Sequence, residues 1–117
     1  MPKRSNDFQQ LVTFIYDCIK PDGGTVTESA MVVDREANTE REVDILVENK
    51  VAGHQIKIAI ECRDRSRKES VEWVDSIICK VKSLDLNKVV AVSSEGFSDV
   101  TTESSRQRHR YSYVARS

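Results

Sequence analysis

Two short segments of alternating apolar and polar residues constrain the fold more than any other feature of this sequence. One covers residues 42–47 (EVDILV) and the other covers residues 58–63 (IAIECR). Alternation with a period of two is typical of a β-strand that buries one of its faces. The connection between them, residues 49–55, is short and contains Gly53. We therefore expect the two strands to be antiparallel neighbours in one sheet.

The polar positions of these strands bring acidic and basic side chains together. We expect Glu42 and Asp44 on the polar face of the first strand, and Glu61 and Arg63 on that of the second. If the strands pair, a carboxylate from each one lies beside a basic side chain. Such a group can hold a divalent cation against a phosphodiester. The opposite, apolar faces would consist of Val43, Ile45 and Val47 on the first strand and Ile56, Ile58, Ile60 and Cys62 on the second.

The N-terminal part of the chain predicts a helix followed by a further strand. Ser5 or Asn6 can cap the helix, and the proline and paired glycines of residues 20–24 end it. A strand over about residues 25–33 follows. The apolar positions that fit a period of 3.6 in the helix are Phe8, Leu11, Val12, Ile15 and Ile19.

Beyond the second segment, the periodicity changes from two to 3.6 residues. Residues 66–69 (SRKE) form a capping box, which predicts the start of an amphipathic helix. Residues 88–93 (KVVAVS) are a nearly continuous apolar run, typical of a central strand. A strand, a helix and a strand in succession predict a right-handed parallel crossover. The expected fold is therefore an α/β mixed sheet in the order α-β-β-β-α-β, with helices on both faces.

The charge balance restricts the partners that the whole surface can bind. The 117 residues include 18 basic and 19 acidic side chains, which gives a net charge of −1. A nucleic-acid site must therefore be a local patch rather than the entire surface. The longest apolar run is too short to cross a bilayer, and residues 1–6 (MPKRSN) lack the apolar core of a signal peptide. We expect no membrane partner.

The three cysteines indicate the cellular compartment. Cys18, Cys62 and Cys79 are odd in number and widely spaced, so they form neither a metal-ligand pattern nor a disulfide framework. All three fall on apolar-periodic positions, which predicts buried thiols. A reducing, cytoplasmic location is expected.

The ordered set of acidic and basic residues resembles a known family. Asp44, a spacer of strand-and-turn length, and Glu61-Cys62-Arg63 resemble the PD-(D/E)xK nuclease superfamily, which has the restriction-endonuclease-like fold. Residues 41–47, 58–64 and 92–98 look like the corresponding blocks of the Mrr-type restriction endonuclease branch. The resemblance extends over roughly residues 8–100, and we expect residues 1–100 to form one restriction-endonuclease-like domain.

The resemblance implies a DNA endonuclease that depends on Mg²⁺ or Mn²⁺. Asp44 and Glu61 would bind the metal together with the backbone carbonyl of Cys62, and Arg63 would contact the phosphate. Glu42 and, in the first helix, Gln10 would be auxiliary residues. A homodimer is expected, since two related sites cut two antiparallel strands most simply. The basic residues expected to contact DNA are Arg65, Arg67 and Lys68.

One departure from the family pattern leaves a second function open. The family has a lysine where this chain has Arg63. A guanidinium stays protonated at any ordinary pH, so Arg63 can hold a phosphate but cannot act as a base. The alternative is a catalytically degenerate nuclease fold that binds DNA or a protein without cleaving it. A third alternative is a plain structural or interaction module, which would be indicated if Asp44 and Glu61 lay far apart. For the two acids with Arg63, the alternative to a catalytic site is a structural ion pair.

The C-terminal residues 101–117 form an atypical polar and basic tail. The Mrr-like pattern has an Ala-rich helix and a closing strand at this point, whereas residues 101–110 (TTESSRQRHR) contain almost nothing to bury. Permitted codons for residues 101–116, read one base later, can encode QLKAAASGIDTLTLRE, which has a helical and a strand-like segment. We hypothesise that the tail comes from a shifted reading frame. The nucleotide sequence of the gene tests this directly.

Overall fold

The computed structural model of the chain describes residues 6–98 and the backbone of residues 111–115. Within these residues there are two helices, and neither is long and apolar enough to span a membrane. The elements, in chain order, are α1 (Asp7–Ile19), β1 (Thr25–Asp34), β2 (Thr39–Val51), β3 (His54–Arg63), α2 (Val71–Val81), β4 (Lys88–Ser93) and β5 (Tyr111–Ala115).

The strands form one mixed sheet in the spatial order β1-β2-β3-β4-β5. The first three strands are antiparallel, whereas β3, β4 and β5 are parallel. The α/β class, the meander and the parallel crossover through α2 are therefore confirmed. The sequence order α-β-β-β-α-β omitted β5. Residues 111–114 (YSYV) carry the aromatic and β-branched residues that favour a strand, while residues 101–110 lie outside the described part, so the reading-frame hypothesis stays a prediction.

Each face of the sheet is covered by one helix, as the sequence predicted. Asn6 caps α1, because its Oδ1 accepts a hydrogen bond of 2.8 Å from the amide of Gln9. The buried residues between α1 and the sheet are Phe8, Val12, Ile45, Ile60, Val90 and Val92. Those on the α2 side include Ala30, Val43, Leu46, Ala59, Ile77, Val81, Val89 and Ala91.

The alternation along β1 and β2 switches faces at one point. The register pairs Glu28 with Ile45 and Ala30 with Val43, and it omits Ser29 and Asp44 between them. Ser29 has a φ of 55°, a left-handed conformation that is uncommon outside glycine. Residues two positions apart therefore point to opposite faces of the sheet here: Val43 packs on the α2 side, whereas Ile45 packs on the α1 side. The prediction that Val43 shares a face with Ile45 and Val47 is therefore wrong.

Helix α1 packs on the sheet mainly through its N-terminal half, and the half-buried Tyr16 adds one contact further along the helix. Of its apolar positions Phe8 and Val12 are buried, whereas Ile15 and Ile19 are 44% and 67% exposed. Cys18 near the end of this helix is exposed for the same reason. Cys79 is also exposed, because it lies two positions from Ile77 on α2 and so turns away from the buried stripe. The prediction of buried thiols is therefore wrong for Cys18 and Cys79, and it is confirmed only in part for Cys62, which is half-buried.

Helix α2 begins later than its capping box predicted. The N-cap is Ser70, and Val71 is the first helical residue. Ser66 and Glu69 therefore do not cap the helix. Glu69 is buried, its amide donates a 2.9 Å hydrogen bond to the carbonyl of Gly96, and it forms an isolated bridge with Phe97. Pairing with the segment after β4 thus holds the Glu69 backbone extended and delays the helix.

Candidate active site

Asp44 and Glu61 lie where β2 and β3 separate. The register of these two strands ends at the pair Ile45 and Ile60, while β3 continues beside β4 as far as Arg63. The side chains of Asp44 and Glu61 span the gap reciprocally. The amide of Asp44 donates to Glu61 Oε2 at 2.9 Å, and the amide of Cys62 donates to Asp44 Oδ2 at 2.8 Å. These two hydrogen bonds hold the carboxylates of Asp44 and Glu61 close together, and the sequence predicted that the two side chains converge.

Helix α2 adds a cation to this pair. Lys80 Nζ lies 2.5 Å from Glu61 Oε1, and the two side chains are 23% and 7% exposed. Burial raises the pKa of Glu61, the Asp44 carboxylate raises it further, and the Lys80 ammonium opposes both effects. A pocket of about 240 Å³ opens onto these groups. Its lining residues are Asp44, Glu61, Cys62, Arg63, Trp73, Ser76, Ile77 and Lys80.

Arg63 lines the same pocket, but its guanidinium is held elsewhere. Its Nη1 lies 3.1 Å from Oε1 of the buried Glu69. Its Cζ lies 5.2 Å from the ring centroid of Trp73, which in turn stacks on Phe97 at 6.0 Å. The Trp73 ring therefore makes a cation–π contact with Arg63, and Phe97 packs against Trp73. Glu69 is the ion-pair partner that sequence reasoning missed, because its position suggested a helix cap.

The first helix contributes Gln9 to the site rather than Gln10. Gln9 is 3% exposed, and its Nε2 donates to the carbonyl oxygen of Asp44 and to Glu28 Oε2, both at 3.2 Å. Gln10 is exposed because it lies one position off the buried stripe of α1. Neither Gln10 nor the half-buried Glu42 is among the described residues that line the pocket. The signal for Gln9 was its position next to Phe8 and three before Val12, on the buried side.

Cys62 contributes its backbone rather than its thiol. The side chain packs on the α1 side, against the cluster that contains Ile60. Burial and then the neighbouring Asp44 and Glu61 carboxylates raise the pKa of this thiol well above its usual range. Thiolate chemistry at Cys62 is thereby disfavoured at neutral pH.

A second, larger pocket continues from the first along the basic segment that precedes α2. It has a volume of about 440 Å³ and shares Arg63, Trp73 and Ser76 with the first pocket. The exposed residues Arg65, Arg67 and Lys68, expected to contact DNA, line it. The structure thus places these three residues in the pocket that adjoins the one at the carboxylate pair.

The residues present fit a hard divalent cation. Two carboxylates converge, and oxygen ligands with retained waters are what Mg²⁺ prefers. The described residues contain no group of three or more acidic, histidine or cysteine side chains that could hold a metal ion. Backbone oxygen, water and substrate phosphate would therefore complete the coordination. This composition favours Mg²⁺ or Mn²⁺ over zinc, which prefers nitrogen and sulfur ligands.

The raised pKa of Glu61 predicts how pH affects apo stability and metal affinity. Folding favours the protonated acid here, so apo stability falls as pH rises from 4.5, the ordinary pKa of a glutamate, through the raised pKa of the folded state. A divalent ion at this site would require the ionised carboxylate, so its affinity should rise over the same pH window and its binding should release a proton. Mn²⁺ calorimetry in buffers of different ionisation enthalpy between about pH 5 and 8 measures the affinity and the proton release, and urea denaturation of the metal-free protein over the same range measures apo stability. Release of no proton below the raised value would contradict this prediction.

Comparison with known proteins identifies the fold. No protein-family model and no curated protein matches the sequence. Among solved structures, a protein of unknown function, AF1548, superposes with a TM-score of 0.71 at 10% identity, over 93% of this chain and 58% of that one. The DNA modification-dependent restriction endonuclease AspBHI superposes with a TM-score of 0.60 at 12% identity, over 92% of this chain and 27% of that one. The chain therefore spans only part of both proteins, and it has a restriction-endonuclease-like fold.

Proposed function

We propose that this domain is a metal-dependent endonuclease that hydrolyses DNA phosphodiester bonds with a PD-(D/E)xK-type, Mrr-like site. The observation that carries the proposal is the reciprocal bracing of Asp44 and Glu61 where β2 and β3 separate. The fold shared with the restriction endonuclease AspBHI supports DNA as the substrate class. Asp44, Glu61 and the carbonyl of Cys62 are the proposed ligands of Mg²⁺ or Mn²⁺.

Hydrolysis requires water to attack phosphorus and the bridging oxygen to leave. One P–O bond forms and one breaks, the water loses a proton, and the leaving oxygen gains one. When bound, a divalent ion lowers the pKa of the attacking water and stabilises charge on the phosphate. The protein holds its carboxylates in advance: the amides of Asp44 and Cys62 fix one oxygen of each. Preorganisation of this kind lowers the cost of reaching the transition state.

DNA would approach along the larger pocket, whose basic residues follow directly after β3. A positively charged surface that follows the backbone supplies sequence-independent affinity. Cutting both strands of a duplex calls for two related sites, so we propose a homodimer as the form that makes double-strand breaks. A single domain would then nick one strand.

Conversion of supercoiled plasmid to nicked and linear forms tests the proposed function. We expect wild-type protein to convert it in Mg²⁺ or Mn²⁺, and EDTA to stop the reaction. Linear product that appears together with nicked product would support the dimer. Failure to cut by folded protein with either ion would overturn the endonuclease and favour the second candidate, a DNA-binding fold without activity. Two observations favour that candidate: position 63 is an arginine rather than the family's lysine, and its guanidinium forms an ion pair with Glu69.

Replacing Arg65, Arg67 and Lys68 together with Ala is expected to weaken duplex binding equally for all sequences. Each residue that contacts a phosphate contributes about 0.9 to the magnitude of the slope of log K against log salt concentration. Loss of all three contacts should therefore reduce that magnitude by up to roughly 2.7. Fluorescence anisotropy in Ca²⁺ at several salt concentrations measures this slope.

A matched control removes exposed lysines at the other end of the strands. Lys50 and Lys88 lie at the exposed ends of β2 and β4 that are remote from Asp44 and Ser93, respectively. We expect the Lys50→Ala, Lys88→Ala double variant to keep the wild-type slope. An unchanged slope in the triple variant would place the DNA contact elsewhere.

A further inference from the structure

The described part of the site contains two cationic side chains with different surroundings. Lys80 and Arg63 both line the pocket that holds Asp44 and Glu61. Lys80 Nζ is 2.5 Å from Glu61 Oε1, so it directly contacts the carboxylate pair. Arg63 has its ion-pair contact with Glu69 at 3.1 Å. The amine, rather than the guanidinium, lies at the proposed ligands.

Arg63 is held in place from several sides. Glu69 is 3% exposed, and its backbone is fixed by hydrogen bonds to Gly96 and Ser98 at 2.9 and 3.0 Å. The Trp73 ring under the guanidinium is itself stacked on Phe97 with an interplanar angle of 10°. Turning Arg63 toward a phosphate at the carboxylates would break an ion pair with a buried acid, which is costly.

Lys80 combines a backbone fixed by packing with a long side chain that has several rotatable bonds. Its neighbours on α2, Ile77 and Val81, are 5% and 4% exposed and anchor the helix on the sheet. The four-carbon side chain can then move its ammonium by a few ångström while its Cα stays fixed. An ammonium has three donors and no fixed plane, so it can keep one contact to Glu61 and offer another to a phosphate oxygen.

We propose that Lys80 supplies the cation that contacts the scissile phosphate at the Asp44–Glu61 pair. Arg63 is instead a positioning residue that holds Glu69 and Trp73 in place beside the pocket. The inference rests on the proposed function. Helix α2 thus provides the amine that the sequence lacks at position 63. Lys80 escapes detection in the sequence because it lies well beyond the Glu61-Cys62-Arg63 motif, and only the packing of α2 brings it to the pocket.

Cleavage by Lys80→Ala, Arg63→Lys and Lys82→Ala variants tests the assignment. We expect Lys80→Ala to cut plasmid at least about 10²-fold more slowly, because a preorganised charge at the phosphate is lost. Methylammonium in the buffer should restore part of this rate, which it would not do for a purely structural defect. Lys82, exposed on the turn after α2, is the matched control and should leave the rate unchanged. Arg63→Lys should gain no activity.

Two measurements do not depend on cleavage. Removing a unit charge beside the proposed ligands is expected to tighten Mn²⁺ binding by Lys80→Ala roughly tenfold in calorimetry. The same variant should bind a short duplex in Ca²⁺ several-fold more weakly than the wild type. Arg63→Lys should keep the wild-type Mn²⁺ affinity, while its thermal midpoint falls as the contacts to Glu69 and Trp73 weaken.

The outcomes separate the inference from the proposed function. If the wild type cuts and folded Lys80→Ala cuts equally well, the role of Lys80 is overturned and the endonuclease stands. A gain of activity in Arg63→Lys would also overturn it, since position 63 would then hold the missing amine. If the wild type never cuts, the endonuclease falls, and unchanged Mn²⁺ and duplex affinities in Lys80→Ala would overturn the inference as well.

Discussion

Replacing Glu61 with Gln is expected to reduce plasmid cleavage at least about 10³-fold while the fold stays intact. Loss of metal binding removes several kcal/mol of charge stabilisation, and each 1.36 kcal/mol corresponds to a factor of ten in rate. The glutamine oxygen can still accept the hydrogen bond from the amide of Asp44. Asp44→Asn is expected to have the same effect, since its amide oxygen can accept from Cys62. Plasmid nicking under single-turnover conditions measures both losses.

An exposed acid provides the control for these substitutions. Glu40 lies at the start of β2, on the solvent-facing part of the hairpin, so Glu40→Gln makes the same chemical change away from the site. We expect it to cut at the wild-type rate. If Glu61→Gln retained a tenth or more of the wild-type rate, Glu61 would not be a metal ligand.

The largest effect on stability is expected for Ile60→Ala. Ile60 is 0% exposed on β3 and packs between the sheet and α1. Deleting three buried carbons and leaving a cavity costs roughly 2–5 kcal/mol of the free energy of unfolding. A domain of this size has only about 5–15 kcal/mol in total, so the variant should be marginally stable. Urea denaturation followed by circular dichroism measures the difference.

The same substitution at an exposed isoleucine separates burial from residue type. Ile19, the last residue of α1, is 67% exposed, so Ile19→Ala should change the free energy of unfolding by less than about 0.5–1 kcal/mol. Equal losses at Ile60 and Ile19 would contradict the described packing. A loss confined to Ile60 would agree with it.

Local patterns predicted the elements that bury regular stripes. The alternation in residues 42–47 and 58–63 identified β2 and β3 and, with them, the convergence of Asp44 and Glu61. The alternation gave the wrong face for Val43. The strand register omits the pair Ser29 and Asp44, and Ser29 has a left-handed backbone conformation, neither of which changes the pattern of apolar and polar residues. The face switch was therefore invisible in the sequence, although it lies at the candidate site itself.

Long-range contacts account for the remaining differences. The sequence around Glu69 fits a helix cap as well as a buried ion-pair residue. The tertiary structure decides between them, because the bridge between Glu69 and Phe97, beyond β4, holds Glu69 where it pairs with Arg63. Gln9 and Lys80 lie on helices whose orientation on the sheet follows from packing. Their proximity to Asp44 and Glu61 is a property of the tertiary structure, while the acidic pair itself is a property of two neighbouring strands.

Anomalous diffraction from crystals grown with Mn²⁺ tests the proposed metal site most directly. We predict a peak within coordination distance of both the Asp44 and the Glu61 carboxylates, about 2.0–2.3 Å from the nearest oxygens. The peak should be absent in Glu61→Gln crystals grown in the same way. A Mn²⁺ peak elsewhere in the wild type, with none between these two carboxylates, would contradict the metal site on which the proposed endonuclease depends.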